Sequence, residues 1–367
     1  MIAKNEEKNL PRCLSSVEGV VDEIIMVDTG STDGTVALAQ AYGARVFHHA
    51  WQDDFAQARN ASLAQATGDW TLVLDADEEL EPGARARLRQ VVESTPADGL
   101  FVCQRNYLSP RALAAYGDVM YVRLFRRRPG VVYELPLHEQ VVPSILRQQG
   151  RLLTSDLVIW HYGYATPVVQ GQENRLQRNI RVLEQALVHD PQNAFLCASL
   201  GLVYQQAGQE TAAADYLQRA VKLGTEKLPE AMLSEVFLAR AQLARKDGNV
   251  PLALEYAQTG ARLGGAGGVN ALNFVAQVTL QVGEQEILAA QQAVLERPAN
   301  ESEPAAQLEA GHRHLRQAHQ AFQQACTAFG ELRDHPLLNP AAKGEVEAAL
   351  VRCQTVLRST AACAETA

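Results

Sequence analysis

The chain has 367 residues, of which 47% are hydrophobic and 20% charged, an ordinary balance for a globular protein of two or three domains. Its net charge of -9 and pI near 5.5 argue against a nucleic-acid binder, which needs a basic face. No apolar run reaches the roughly 18 residues of a membrane span.

The opening Met1-Ile2-Ala3-Lys4-Asn5-Glu6-Glu7 has no apolar leader core, so no signal peptide is expected. A helix over 9–17 follows, then a strand over Glu23-Ile24-Ile25-Met26-Val27 that runs into Asp28-Thr29-Gly30-Ser31-Thr32-Asp33-Gly34-Thr35. A second helix is expected over 34–42, capped by Ser31 or Asp33, a short strand over 44–47, and a helix over 55–66 ended by Gly68. The strand Trp70-Thr71-Leu72-Val73-Leu74 leads into Asp75-Ala76-Asp77-Glu78-Glu79. Continuous apolar runs of this kind suit strands buried on both faces of a parallel sheet. A helix over 82–92 and strands over 99–103, 120–125 and 157–160 complete an alternation that implies βαβ units and one parallel or mixed sheet.

Beyond about residue 170 strand signals stop and Ala, Leu, Gln and Glu dominate. Asp190-Pro191 opens a helix pair in which Leu200-Gly201, Tyr204, Ala207-Gly208, Ala213, Tyr216 and Ala220 recur at nearly tetratricopeptide spacing. Segment 229–263 repeats the theme, and 269–296 reads as a weaker third copy with Gly283 at its turn. Residues 297–311, rich in Pro, Glu and Ala, read as a loosely packed linker, and 311–358 as amphipathic helix. The expected division is therefore 1–168, 169–296 and 297–367. Six cysteines, at 13, 103, 197, 326, 353 and 363, form no Cys-x-x-Cys pair; reduced thiols and a cytoplasmic location are expected.

Two strands that end in carboxylates bring acidic groups to one crevice, since ligands of such sheets bind beyond the carboxyl ends of the strands. On a strand end, residues i and i+2 point the same way, so Asp75 and Asp77 are expected to face that crevice together. Hard oxygen donors there suit Mg2+ or Mn2+.

With Arg59-Asn60 between them, the Asp-Thr-Gly-Ser-Thr-Asp-Gly-Thr and Asp-x-Asp elements resemble family-two inverting glycosyltransferases of the GT-A fold. The likeness is to a bacterial subset carrying that signature and a C-terminal tetratricopeptide-like domain, and it covers about residues 1–165. It implies an α/β GT-A domain with a mixed, mostly parallel sheet, followed by an all-α helical-repeat domain. The implied reaction moves a sugar, with inversion, from a nucleotide-diphosphate donor to an acceptor hydroxyl or other nucleophile. Lys4, Asn5 and Glu6 match the end of the family's first strand, which touches the base; Asp28 matches an Asp near the base, its alternative being a cap of the next helix. Relatives carry several apolar residues before the position of Ile2, where this chain has Met1. Asp75 is implied at the ribose or metal and Asp77 at the metal.

Arg59, in Trp51-x-Asp53-Asp54-Phe55-x-x-x-Arg59-Asn60, could fork onto the donor's diphosphate; the alternative is a salt bridge to a neighbouring acid. His138-Glu139 falls where relatives present a general base, and Glu139 could take the acceptor's proton; otherwise it pairs with a nearby arginine. Leu135-Pro136 stand just before, where relatives often have glycine. His161 is a further metal ligand by the resemblance, or a structural histidine. Arg126-Arg127-Arg128 meet phosphates or form a solvated edge strand, and His312-x-His314 is surface. The implied partners are the nucleotide-sugar and an acceptor peptide, protein or glycan, with homo-dimer contacts through the helical region. Two other classes stay in view: an idle GT-A scaffold whose repeats bind a partner protein, and a nucleotidyltransferase, for which no Gly-rich lysine-bearing loop is present.

Overall fold

The computed structural model describes residues 1–107, 116–163, 169–295, 303–338 and 340–365. It divides into two compact units, Met1–Ala186 and Leu187–Ala367.

The first unit opens with β1 (Ile2–Ala3), α1 (Leu10–Val17), β2 (Ile25–Asp28), α2 (Thr35–Ala41), β3 (Arg45–His48) and α3 (Phe55–Leu63). It continues with β4 (Trp70–Leu72), β5 (Glu78–Leu80), α4 (Pro82–Ser94), β6 (Gly99–Tyr107), β7 (Tyr116–Arg126), α5 (Val142–Arg147) and β8 (Leu152–His161). β1, β2 and β3 pair in parallel, with Ala3 opposite Asp28 and Asp28 opposite His48. The second sheet has the order β4-β7-β6-β8-β5; β6 and β8 are parallel, and the other pairs antiparallel. The expected mixed sheet is thus divided into two hydrogen-bonded sheets, the first parallel and the second mixed, with β1 an edge of the one and β4 an edge of the other. A cavity of about 170 Å³ is lined by Met1, Ile24, Ile25, Trp70, Leu72 and Leu124.

The elements follow from local chemistry. Asp54 caps α3 by accepting from the Gln57 N–H at 2.9 Å, and Glu81 caps α4 ahead of a proline in its first turn. Both satisfy donors that a helix start leaves open. α4 then buries Ala84 and Leu88 against Leu80, Leu100, Leu157 and Ile159. The arginine run is structural: Arg126 lies over the Trp70 ring and donates to the Ala97 carbonyl, Arg127 donates to the Gly68 carbonyl, and Arg128 pairs with Asp98.

α6 (Val169–His189) crosses the expected boundary at 168. Its residues up to Ala186 belong with the first unit because Arg181 forks onto Asp53 at 2.9 Å and Arg178 lies over Phe55. The second unit holds α7 (Ala194–Gln206), α8 (Glu210–Leu223), α9 (Glu230–Lys246), α10 (Val250–Arg262), α11 (Gly265–Leu295), α12 (Glu303–Asp334) and α13 (Pro340–Glu365). The first pairs match the expected repeats. Tyr204 stacks on Tyr216 at 5.6 Å, and a Cβ on Gly201 would meet Leu217 at 2.8 Å, so the helices approach closely.

Two expectations fail here. Gly283 makes no turn: α11 runs unbroken through it, and a Cβ there would lie 2.8 Å from the Phe322 ring. The glycine lets α11 and α12 come together, and burial of Phe322 in the core between them outweighs its poor helix propensity. The later part of the expected linker is helix, since α12 begins at Glu303; residues 296–302 lie outside those described.

Candidate active site

The two N-terminal loops are zipped together. Asn5 Oδ1 accepts from the Thr32 N–H at 2.8 Å, and the Asn5 N–H donates to Ser31 Oγ. The Glu6 N–H donates to Thr35 Oγ1, and the Gly34 N–H to Glu7 Oε2. Asn5 has φ 59°, a left-handed conformation asparagine tolerates. Lys4 is exposed. Burial raises the Glu6 carboxyl, and Asp77 and Asp75 raise it further, against an opposing bond from Asn9. Asp28, only 4% exposed, accepts from the Gly30 and Ser31 N–H groups and faces His48 at 3.3 Å. It holds its own turn, so its carboxylate is committed to the loop. Asp33 lies one residue before the α2 cap position, Gly34, and accepts from the Thr35 N–H and hydroxyl.

Asp75 and Asp77 do not share one orientation. β4 ends at Leu72, and the two carboxylates straddle the turn before β5, where the strand alternation no longer applies. Asp75 turns inward, accepting from Arg59 at 2.8 Å and from both Arg123 nitrogens at 3.2 and 3.3 Å. Asp77 turns toward His161, with 3.4 Å between Oδ2 and Nε2.

The inward carboxylate joins a buried charge cluster. Arg59, 7% exposed, donates from Nε to Glu139 Oε1 at 2.6 Å and from Nη2 to Asp75. Its Nη1 is buried with no hydrogen-bond partner among the described residues. Arg123 bridges Asp75, Gln104 Oε1 and Glu78, the last at 2.8 Å. Burial pushes the fully buried Glu78 carboxyl up to about 7 despite Arg123. Burial also works to raise Asp75, yet the two guanidiniums prevail and hold it far below the usual carboxylate range. Both readings left open in the sequence therefore meet in one contact, the Arg59–Glu139 pair. Asn60 fixes α3 against the following loop, exchanging bonds with the Tyr133 carbonyl and N–H at 2.9 and 2.8 Å. That loop is strained: Leu135 and His138 have φ of 72° and 57°. Leu135 occupies a conformation glycine takes freely.

His161 is oriented from behind. Its Nδ1 lies 2.6 Å from Asn106 Oδ1, while the Asn106 amide donates to the Gly117 carbonyl. That bond assigns Oδ1 as the acceptor, so Nδ1 carries a proton and Nε2 is the ring atom that faces Asp77. Burial lowers the imidazole, and Asp77, with Glu78 and Asp75, more than offsets it, so the net direction is upward and favours a proton on Nε2. A Cβ on Gly163 would fall 2.5 Å from Asp77 Oδ2 and 2.7 Å from His161 Nε2; glycine leaves open the space both donors face. An oxygen and an imidazole nitrogen bordering one small space fit Mn2+ or Mg2+, with a backing bond of the kind that orients metal-bound histidines. No group of three or more acidic, His or Cys donors occurs among the described residues, so other ligands would come from substrate phosphates and water.

Residues 1–141 match the model of Glycosyl transferase family 2. A TPR repeat-containing protein of Synechococcus elongatus is 38% identical over 265 residues, covering 70% of this chain and 63% of that protein. The SPbeta prophage-derived glycosyltransferase SunS of Bacillus subtilis is 25% identical over 223 residues, covering 60% and 52%. The chain thus spans less than two thirds of either relative. The S. aureus TarS 1–349 crystal structure aligns over 70% of this chain and 89% of that one, at 15% identity and a TM-score of 0.38.

Arg123, Glu78, Gln104 and Asn106 were not singled out by sequence reasoning as members of the site. A signal existed for Arg123, a charge between apolar Val122 and Leu124 in a strand. Asn106 carried none, since its role depends on the β6–β8 register that sets it opposite His161.

Proposed function

We propose that the chain moves a sugar from a nucleotide-diphosphate donor to an acceptor hydroxyl or other nucleophile, with inversion at the anomeric carbon. The family 2 match supports transfer of a sugar; the Asp77–His161 pair, opening on the space at Gly163, carries the finer reading. Asp77 and His161 would hold Mg2+ or Mn2+, which neutralises a departing diphosphate. Asp28 and the Lys4-Asn5-Glu6 loop shape the nucleotide end of the crevice.

Arg59 links donor and acceptor chemistry. Its unpartnered Nη1 is suited to a diphosphate oxygen, and the same guanidinium grips Glu139. An anionic donor draws on that guanidinium and loosens its hold, leaving Glu139 free to take the acceptor's proton as the anomeric carbon is attacked. The helical region recruits the acceptor, as repeats of this kind commonly present extended binding surfaces.

The test is release of nucleoside diphosphate from a panel of UDP-, GDP- and dTDP-sugars, with and without manganese. Manganese-dependent release from at least one donor is expected. A folded chain that releases none would sink the enzyme reading and leave the idle scaffold.

A further inference from the structure

α6 carries Arg175, Arg178 and Arg181, each three residues from the next and so its neighbour on the helix surface. Arg181 is neutralised: it forks onto Asp53, whose carboxylate also accepts from Trp51 Nε1 at 2.7 Å. Arg178 is half-buried, with its guanidinium 4.9 Å from the centre of the Phe55 ring. It donates to the neutral Asn179 Oδ1 at 3.0 and 3.3 Å. Among the described residues no carboxylate pairs with Arg178 or with the exposed Arg175.

Arg178 stands on the far side of Glu139 from the candidate metal ligands. Phe55 and Arg59 are four residues apart on α3 and share a face, about 6 Å apart along the axis. The Phe55 N–H donates to the Pro136 carbonyl at 2.9 Å, which ties this end of α3 to the loop that carries Glu139. Charges therefore follow one order: Asp77 with His161, then Asp75, then Arg59 bridging Asp75 to Glu139, then Arg178. Burial and the like charges of Arg175 and Arg181 lower the Arg178 guanidinium, and Asp53 and Glu139 oppose them without prevailing. Both of those acids are already engaged, Asp53 by Arg181 and Glu139 by Arg59. A half-buried cation left without a counter-ion is unfavourable until an anion arrives.

We propose that Arg178, flanked by Arg175, holds a phosphate monoester carried by the acceptor. This rests on the reading of Glu139 as the base that activates the acceptor. The two cations without a carboxylate partner match the roughly two negative charges of a phosphate monoester near pH 7, where a carboxylate would bring one. A guanidinium also meets phosphate oxygens in pairs, through parallel N–H groups in one plane. Held there by its charged end, the acceptor turns its hydroxyl toward Glu139. Its phosphate then lies beyond the base from the donor's diphosphate, so the two anions are kept apart and each substrate is recognised at its own end of the crevice.

The experiment titrates the full chain with glucose 6-phosphate, glucuronate and glucose, read by NMR line-broadening of each ligand without metal. Glucose 6-phosphate should bind roughly 10-fold or more tightly than the other two. Arg178→Met should weaken it by about the same factor, the effect of losing hydrogen bonds to a charged group. Arg175→Met, at an exposed position, should weaken it about 3-fold, the effect of an exposed charge. Arg178→Lys keeps the charge without the fork and should fall between wild type and Arg178→Met. If tryptophan fluorescence shows Arg178→Met unfolded, the Arg175 variant decides. Glucose 6-phosphate should also still bind with manganese and the tightest-bound of UDP, GDP and dTDP at saturation. The assignment is overturned if glucose 6-phosphate does not bind, if glucuronate binds equally well, or if the folded methionine variants keep wild-type affinity. Expulsion of glucose 6-phosphate by the nucleoside diphosphate would also overturn it, by putting Arg178 on the donor. A wild-type chain that holds glucose 6-phosphate through Arg178 yet releases no nucleoside diphosphate from any donor would count against the transferase reading and leave this subsite standing.

Discussion

The Arg59–Glu139 contact is the sharpest test of the buried charge cluster. In Arg59→Met the stem is replaced by a side chain of similar reach, and two carboxylates lose a guanidinium. Asp75 keeps Arg123 at 3.2 Å, so most of the cost falls on Glu139, whose side chain is only 13% exposed. Removing one partner of a buried pair costs about 3–5 kcal/mol; the remaining Arg123 contact and the slight exposure of Glu139 put this case near the lower bound, about 3 kcal/mol. For a unit of this size each kcal/mol moves Tm by roughly 2–4 °C, so a fall of about 6–12 °C is expected. All three tryptophans, Trp51, Trp70 and Trp160, lie before Ala186, so tryptophan fluorescence reads this unit separately from the helical one. Adding Glu139→Gln to Arg59→Met removes the orphaned charge and should recover about 1–2 kcal/mol, a coupling of the size neighbouring groups show. A shift below about 2 °C in the single variant, or strict additivity in the double one, would refute an energetically coupled pair.

Asp77→Ala should abolish the manganese-dependent part of nucleotide diphosphate binding and leave Tm nearly unchanged; calorimetry giving equal metal-dependent affinity would remove Asp77 from the site. Glu139→Gln preserves shape but cannot accept a proton, so turnover should drop roughly 100-fold with donor affinity held, and near-normal turnover would move the base elsewhere. Leu135→Gly relieves a left-handed backbone that costs a side-chain-bearing residue about 1–2 kcal/mol, less glycine's entropic cost. A net gain of about 0.5–1 kcal/mol is expected from chemical denaturation, and a loss would mean that Leu135 packing dominates. Gly283→Ala places a Cβ 2.8 Å from the buried Phe322 ring; overpacking of about 1–3 kcal/mol exceeds alanine's helix advantage of about 1 kcal/mol. Circular dichroism at 222 nm should show the helical unit melting lower, and an unchanged or raised Tm would contradict the close α11–α12 packing.

The parts readable from the chain were those encoded within a few neighbouring residues. Apolar runs ending in Asp28 and Asp75 marked β2 and β4, Pro82 marked the start of α4, and Gly208 and Gly248 punctuated helix pairs. Each signal is a local conformational preference, so it survives without knowledge of what packs against it. Gly283 shows where such reading stops. A glycine in a helical pattern marks either a turn or a close approach, and only Phe322, 39 positions on, decides between them.

The site divides along the same line. That Asp75 and Asp77 end a strand at one crevice was legible from the strand pattern, and Arg59, Glu139 and His161 were joined to them by what the family resemblance implies. Which carboxylate meets which cation was not legible. Asp75 and Asp77 are two residues apart, yet one turns to Arg59 and Arg123 while the other faces His161. That choice belongs to groups 16, 48 and 84 positions away, brought near by the β4–β7 and β5–β8 ladders and by α3. The sequence by itself determined that carboxylates would gather where the apolar runs end at Asp28 and Asp75, since composition and spacing are local properties. Only the tertiary structure decided their pairing, because buried charges must be matched where water is excluded, and the partner is whichever opposite charge the packing brings within reach.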